Sequence, residues 1–257
     1  MTFTKILKKT FKNIAENKLL SILLFVLHLV IILFLSYKFF GYAIDFLTYT
    51  NDISQTLQGL TPSADLNSLI QNQAGIMEIY SKITAVAIGF ASWVLLICLT
   101  VNAFNWIISS KIAGNNKNPF KSILTFDLLF LIFMVPFVFL IFLFSSAMFD
   151  TNFGKAMIFI FILLLLAVKY FFYISFALSN KETIKNSLKN CFKTGYNNAN
   201  ILVPVFLIAM IIPAVILLLI ALNLEQNFAL LLSLVALFIL SLAFGKIYFS
   251  TAMSEIK

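Results

Sequence analysis

The sequence predicts an all-α integral membrane protein, a polytopic bundle of six transmembrane helices with basic amphipathic helices on the inner surface. Composition, the length of the apolar runs and the distribution of lysines favour this fold class. Of the 257 residues, 61% are hydrophobic and 11% are charged, and the mean hydropathy is +1.02. Soluble domains have about 45–50% apolar and about 25% charged residues. The composition therefore excludes a soluble globular domain, a disordered chain and a nucleic-acid-binding domain.

The first predicted element is an amphipathic helix over residues 1–18, a segment that contains five lysines. Apolar side chains recur near helical spacing from Phe3 to Ile14 and would form one face. A helix of this kind lies in the plane of the membrane surface. The apolar run that follows is too long for the core of a signal peptide and has no A-x-A cleavage site, so we expect the segment to be retained.

Six apolar runs follow, and each is about as long as the roughly 20 helical residues that cross a hydrocarbon core of about 30 Å. They predict one membrane domain over residues 1–257. No GxxxG motif occurs in any run, so we expect the helices to pack through Phe, Leu and Ala. The predicted spans are 19–43, 83–108, 123–148, 156–178, 201–222 and 228–248.

Lysine distribution predicts the orientation of these spans, because basic loops are retained on the cytoplasmic side. With the N-terminus inside, fourteen lysines fall in inner segments and three in outer ones, and Lys169 lies within a span. Both termini are therefore predicted to be cytoplasmic. The heavy use of Lys, Phe, Ile and Asn, which A/T-rich codons specify, indicates a prokaryotic source and hence the cell membrane.

Residues 44–82 form the long outer connection and predict a helical hairpin that projects from the outer face. Apolar residues keep helical spacing on both sides of Pro62, and Thr61 or Ser63 can cap the second helix. A flexible loop is the alternative, but a structureless loop of this length is uncommon. The hairpin is a candidate surface for a protein partner.

Ionisable residues inside spans are costly, at about 2.5–3.5 kcal/mol at the membrane centre, and are candidates for function. Asp127 lies about 9 Å and Lys169 about 15 Å from the inner ends of neighbouring spans, at 1.5 Å per residue. Asn102 and Asn105 reach a similar depth on the second span. These four residues predict an inner polar pocket for a solute or a lipid headgroup. The alternatives are an Asp127–Lys169 pair that only fixes packing, and separate snorkelling of each charge.

His28 lies near the middle of the first span. A proton relay would need a titratable partner at similar depth, and the sequence offers none, so we expect a neutral His bonded to a neighbouring helix. The chain has neither a Walker loop nor GxSxG, HExxH or a Cys/His cluster. We therefore expect no catalytic residue, no metal and no cofactor.

Two stretches resemble patterns found in uncharacterised multi-pass membrane protein families of archaea and bacteria. They are NAFNWIISSKIAGNNKNPF at 102–120 and VKYFFYISFALSNKETIKNSLKNCFKTGYNN at 168–198. The layout over about residues 1–200 is similar to membrane families with a domain of unknown function and, more distantly, to the membrane domain found with glycerophosphodiesterases. This chain has Lys where those families often have Arg. The resemblance implies architecture, including an amphipathic helix after the fourth span, and implies no chemistry.

The sequence therefore predicts a non-enzymatic membrane scaffold or accessory subunit that organises lipids or partner proteins. Expected partners are membrane lipids, especially anionic headgroups at the inner surface, and a protein at the outer hairpin; nucleic acid is not expected. The alternative is a small-solute or lipid transporter or channel-like protein that uses the inner polar pocket.

Overall fold

A computed structural model describes residues 3–58, 66–115, 119–147, 154–179, 182–223 and 228–256, and within these ranges all regular structure is helical. The apolar runs form long helices because a helix satisfies every backbone hydrogen bond internally, as a hydrocarbon environment requires. The helices are α1 (Phe3–Glu16), α2 (Lys18–Gln58), α3 (Leu66–Leu99), α4 (Val101–Ile112), α5 (Pro119–Ala147), α6 (Gly154–Leu178), α7 (Ile184–Asn197), α8 (Ala199–Leu222) and α9 (Phe228–Glu255).

In the described part of the chain, five helical stretches are long and apolar enough to cross a membrane. These are Lys18–Gln55, Gly75–Ile112, Ile160–Leu178, Ala199–Leu222 and Phe228–Glu255. The described part of the chain is thus all-helical, and its long apolar helices fit a membrane protein. The predicted third span, 123–148, lies mostly on α5, but its last residue and the side chains from 137 onward are outside the described residues.

The predicted second span, 83–108, differs from the structure because it is divided between two helices. α3 ends at Leu99 and α4 begins at Val101, with Thr100 in a turn between them. Threonine is β-branched, and its hydroxyl can compete for backbone hydrogen bonds, so it is a weak helix former at this position. In the predicted outer hairpin, 44–82, α2 continues to residue 58 and α3 begins at residue 66. The predicted turn around Pro62 lies outside the described residues.

The chain divides into two compact units, Met1–His28 with Leu99–Lys257 (the bundle unit) and Leu29–Cys98 (the hairpin unit). In the hairpin unit, aromatic rings join α2 to α3. The ring centroids of Phe34 and Trp93 lie 5.5 Å apart, and those of Tyr42 and Phe90 lie 5.9 Å apart. Tyr42 also covers Gly89, where an added Cβ would lie 3.1 Å from the tyrosine oxygen. The single domain over 1–257 stays a prediction.

The centre of the bundle unit is filled by aromatic side chains from five helices. Trp106 of α4 packs edge to face on Tyr173 and Phe176 of α6, with ring centroids 4.5 and 5.6 Å apart. Phe126 of α5 contacts Phe176 at 5.0 Å. Tyr173 also contacts Phe206 of α8 and Phe249 of α9, at 5.8 and 5.4 Å. Edge-to-face pairs of this kind contribute about 0.5–1.5 kcal/mol beyond the area that they bury.

The packing of α8 on α9 depends on Gly245. This contact was not predicted, because the spans contain no GxxxG motif that would have pointed to it. A Cβ at Gly245 would lie 3.2 Å from both the Cβ and the carbonyl oxygen of Ala209. The backbones of the two helices therefore approach closely at this point, as small residues permit in membrane bundles. The expected Phe, Leu and Ala packing is thus supplemented by a Gly–Ala contact.

Candidate functional site

The N-terminal helix α1 is held against the C-terminal half of α9. Ile6 and Thr10 form its buried stripe, and Lys9 forms an ion pair with Glu255. Asn13 Nδ2 donates a hydrogen bond of 3.5 Å to Thr251 Oγ1. Ring contacts join Phe3 to Tyr248 and Phe11 to Phe244. The remaining lysines of this helix, Lys5, Lys8 and Lys12, are exposed.

The second basic helix, α7, is held against α6. Its buried stripe is Ser187, Cys191 and Gly195, one residue per turn. At Gly195 an added Cβ would lie 2.9 Å from the Ile174 side chain, and the Tyr170 hydroxyl donates a 3.0 Å hydrogen bond to the Gly195 carbonyl oxygen. Burial raises the pKa of the Cys191 thiol, so this cysteine is a packing residue rather than a nucleophile.

The exposed face of α7 combines lysines with aromatic side chains. Lys185, Lys189 and Lys193 are exposed, and Phe192 and Tyr196 are 58% and 84% exposed. Thr183 caps the helix by accepting a hydrogen bond from the Asn186 backbone N–H. Lysines interspersed with exposed aromatic rings are typical of helices that lie at a membrane interface.

Asn102, the first residue of the predicted pocket, accepts a hydrogen bond from the Nζ of Lys246 on α9. The same ammonium lies 5.9 Å from the centre of the Trp106 ring. Lysine counting assigns Lys246 to the inner side, so sequence reasoning missed it as a site residue. The sequence does contain a signal that could have identified it as a site residue, because Lys246 falls inside the predicted sixth span, 228–248.

Asn105 lies one turn from Asn102 and is completely buried. Neither its Nδ2 nor its Oδ1 has a hydrogen-bond partner among the described groups. A buried polar group without a partner costs about 1–3 kcal/mol. The side-chain amide of Asn105 is therefore an energetically costly group at the centre of the bundle unit.

Lys169 lies on the face of α6 that turns towards the neighbouring helices. It precedes Phe172, Tyr173 and Phe176 by three, four and seven residues, and these spacings place all four side chains on one face. The three aromatic residues are buried, whereas Lys169 is exposed. Its Nζ lies 5.9 Å from the centre of the Tyr173 ring.

The structure does not bring Asp127 and Lys169 together. No ion pair within 4.0 Å joins either residue to another described side chain, and the Oδ1 of Asp127 is buried without a hydrogen-bond partner. Asp127 follows Phe126, the residue through which α5 contacts α6. Successive residues on a helix point about 100° apart, so Asp127 lies beside this contact and Lys169 faces the aromatic cluster. The suggested ion pair is not formed.

His28 is buried in the bundle unit, and Nδ1 lies 2.8 Å from the carbonyl oxygen of Leu24. A carbonyl only accepts, so Nδ1 carries the proton and Nε2 is an acceptor, which has no partner among the described groups. The expected bond to a neighbouring helix is thus replaced by one within α2. In the described ranges no three His, Cys, Asp or Glu side chains are grouped as a metal site would require.

Two surface pockets of about 440 and 500 Å³ lie away from the candidate residues. The first is lined by α2 residues around Gly41 in the hairpin unit, and the second by residues 15–20, where α1 ends and α2 begins. No protein family, curated protein sequence or solved structure is significantly similar to this chain. The resemblance to prokaryotic multi-pass families stays a prediction.

Proposed function

We propose that the chain is a six-span protein of a prokaryotic cell membrane with both termini in the cytoplasm. In this proposal α5 forms the predicted third span, 123–148, which adds one span to the five helical stretches described above. It is a 29-residue helix, and its described part from Ile123 onward has Asp127 as its one charged residue. The lysine distribution supports the orientation, because fourteen lysines then lie on the inner side and three on the outer.

Within that topology we propose a non-enzymatic scaffold or accessory subunit that gathers anionic lipids at the inner surface. The observation that carries this proposal is that α1 and α7 each bury one stripe against the bundle and expose three lysines. A free amphipathic helix would lose conformational entropy on binding a membrane, whereas a docked helix is preorganised. Partner proteins are proposed to bind the outer parts of α2 and α3.

A small-solute or lipid transporter is the second candidate function. The exposure of Lys169 on a face of α6 that turns towards other helices favours it. The aromatic cluster around Trp106 fills the bundle immediately beside that lysine, which favours the scaffold as the first candidate.

Removing the three exposed lysines of α1 should weaken the preference for anionic lipid. Each lysine near an anionic surface contributes about 1 kcal/mol, so the triple change Lys5→Gln, Lys8→Gln and Lys12→Gln should lower the preference about 100-fold. The measurement is the exchange of phosphatidylglycerol against phosphatidylcholine in the lipid shell of the purified protein. The same triple change on α7, at Lys185, Lys189 and Lys193, should act similarly.

Two controls separate charge from packing in this experiment. Replacing the same three α1 lysines with Arg keeps the charge and should keep the preference. Lys82→Gln removes an exposed lysine that pairs with Glu78 at 2.8 Å in the hairpin unit, and it should leave the preference unchanged. An α1 triple variant with the lipid preference of the unaltered chain would contradict the proposal.

A further inference from the structure

The part of α2 that belongs to the hairpin unit carries a row of exposed apolar side chains. From residue 30 to residue 47 they recur at alternating spacings of three and four residues. This is the repeat of about 3.5 residues that marks the a and d positions of a coiled coil. Each of these side chains is between 51% and 73% exposed. The row, termed the seam, consists of Val30, Leu33, Tyr37, Phe40, Ile44 and Leu47.

The seam points away from α3. At about 100° per residue, Lys38 and Tyr42 lie about 100° and 140° around the helix from Tyr37. These two side chains contact α3: Lys38 Nζ lies 4.6 Å from the centre of the Trp93 ring, and the Tyr42 ring contacts that of Phe90. Helix α3 therefore covers the other side of α2, and the seam stays uncovered by the described residues of the hairpin unit.

A groove of about 440 Å³ opens within the seam. Four of the residues that line it are Tyr37, Phe40, Gly41 and Ile44. The last three follow the first by three, four and seven residues, which is the spacing of the four residues that form a hole in knobs-into-holes packing. Nothing lies within 4 Å of a Cβ built at Gly41, so the hole has room for a large side chain.

The positions that continue and flank the seam suit pairing with an identical helix. Asn51 follows Leu47 by four residues, which is an a position, and it is exposed. A single Asn at an a position specifies the register and the oligomeric state of a parallel coiled coil. The flanking e and g positions contain no charge that would repel the same charge on a second copy. They are Phe34, Ser36, Gly41, Ala43, Thr48 and Thr50.

Lipid alone does not account for this surface. The predicted first span, 19–43, already exceeds the roughly 20 helical residues that a hydrocarbon core covers, and Ile44, Leu47 and Asn51 lie beyond it. Exposed apolar side chains outside the hydrocarbon are typical of a protein interface. Two copies of one chain cross a membrane in the same direction, because the same basic loops are retained on the same side. Their α2 helices are therefore parallel, as the Asn at the a position requires.

We propose that the seam binds the seam of a second copy of this chain in a parallel two-stranded coiled coil. Phe40 of each copy fills the hole beside Gly41 of the other, and the two Asn51 side chains set the register. The interface is isologous, with identical residues on either side of a two-fold axis. The inference rests on the proposed binding of partner proteins to the outer parts of α2 and α3, and it identifies that partner as another copy.

The first test is disulfide cross-linking in native membranes. Single cysteines are introduced into a chain whose own cysteines are changed to Ser, and the membranes are treated with an oxidant. Ile44→Cys and Leu47→Cys place equivalent residues opposite one another, within reach of a disulfide, and should give mainly cross-linked dimer. Phe46→Cys and Tyr49→Cys lie off the seam and should give at least fivefold less. Equal cross-linking at all four positions, or more at 46 and 49, would overturn the proposal.

The second test measures the mass of the purified full chain in a mild uncharged detergent. The unaltered chain should be a dimer, and Gly41→Leu should be a monomer because leucine fills the hole. Gly75→Leu on α3 is the matched control, since a Cβ there also meets nothing within 4 Å, and it should stay a dimer. At a dilution where every chain is monomeric, Gly41→Leu should unfold like the unaltered chain, which shows that its fold is intact.

The outcomes separate this proposal from the lipid-binding role. The triple Gln variant of α1 should remain a dimer, and Gly41→Leu should keep the preference for anionic lipid. A monomeric mass for the unaltered chain, or an undiminished dimer for Gly41→Leu, would contradict self-association even if a different protein binds the outer parts of α2 and α3. Loss of lipid preference in neither triple variant, with the dimer present, would contradict the lipid-binding role alone.

Discussion

Trp106→Ala should lower the free energy of unfolding by about 3–5 kcal/mol, the usual cost of truncating a large buried aromatic residue. Trp106 is 1% exposed and contacts Tyr173 and Phe176, so its removal leaves a cavity between α4 and α6. The cavity cannot close by a small shift, because Tyr173 is also held by contacts to α8 and α9.

Phe104→Ala is the matched control for this prediction. Phe104 lies on the same helix, two residues away, and is 47% exposed, so its loss should cost less than about 1 kcal/mol. The measurement is reversible unfolding in mixed micelles with increasing dodecyl sulfate. If the Trp106 and Phe104 variants unfold at the same dodecyl sulfate concentration, the aromatic cluster does not stabilise the bundle unit.

Gly245→Leu should be at least as disruptive, with an expected loss of about 3 kcal/mol or more. A Cβ alone would lie 3.2 Å from the Ala209 backbone oxygen, and backbone cannot move aside as a flexible side chain can. The larger side chain therefore requires α8 and α9 to separate, which exceeds the usual overpacking cost of about 1–3 kcal/mol. Gly245→Ala should fall between this variant and the unaltered chain.

Gly41→Leu is the control for the glycine prediction. Gly41 lies within a long apolar helix like Gly245, but nothing lies within 4 Å of a Cβ built there. Leucine at Gly41 should therefore leave the unfolding midpoint nearly unchanged. If both leucine variants unfold at the same denaturant concentration, close approach at Gly245 does not contribute to stability.

Sequence reasoning could predict the helices because their apolar runs exceed the length needed to cross a membrane. It could not predict the break at Thr100, since hydropathy averages over many residues and one turn residue changes it little. Gly245 was missed for a similar reason: its effect depends on Ala209 of another helix, and no sequence motif records that contact. Local patterns thus predict the elements, whereas contacts between distant residues determine where two helices approach closely.

The candidate site illustrates the same limit. Depth along a span places Asp127 and Lys169 near one another, but depth says nothing of which way each side chain points around its helix. Lys169 shares a face with Phe172 and Tyr173 and so turns towards the aromatic cluster. Lys246 was counted among the inner lysines, yet its long side chain reaches Asn102 on α4. Angular position and side chain reach were the missing information.

Cysteine labelling in intact and permeabilised cells tests the central claim, that the basic helices lie on the cytoplasmic side of a membrane-spanning bundle. Single cysteines replace Lys185 on α7, Asn115 after α4 and Gln73 on α3, in a chain whose Cys98 and Cys191 are changed to Ser. With a membrane-impermeant maleimide, we expect the cysteine at 73 to react in intact cells and those at 115 and 185 to react only after permeabilisation. Reaction at 185 in intact cells, or reaction at 73 only after permeabilisation, would contradict the proposed orientation and the lipid-binding role that depends on it.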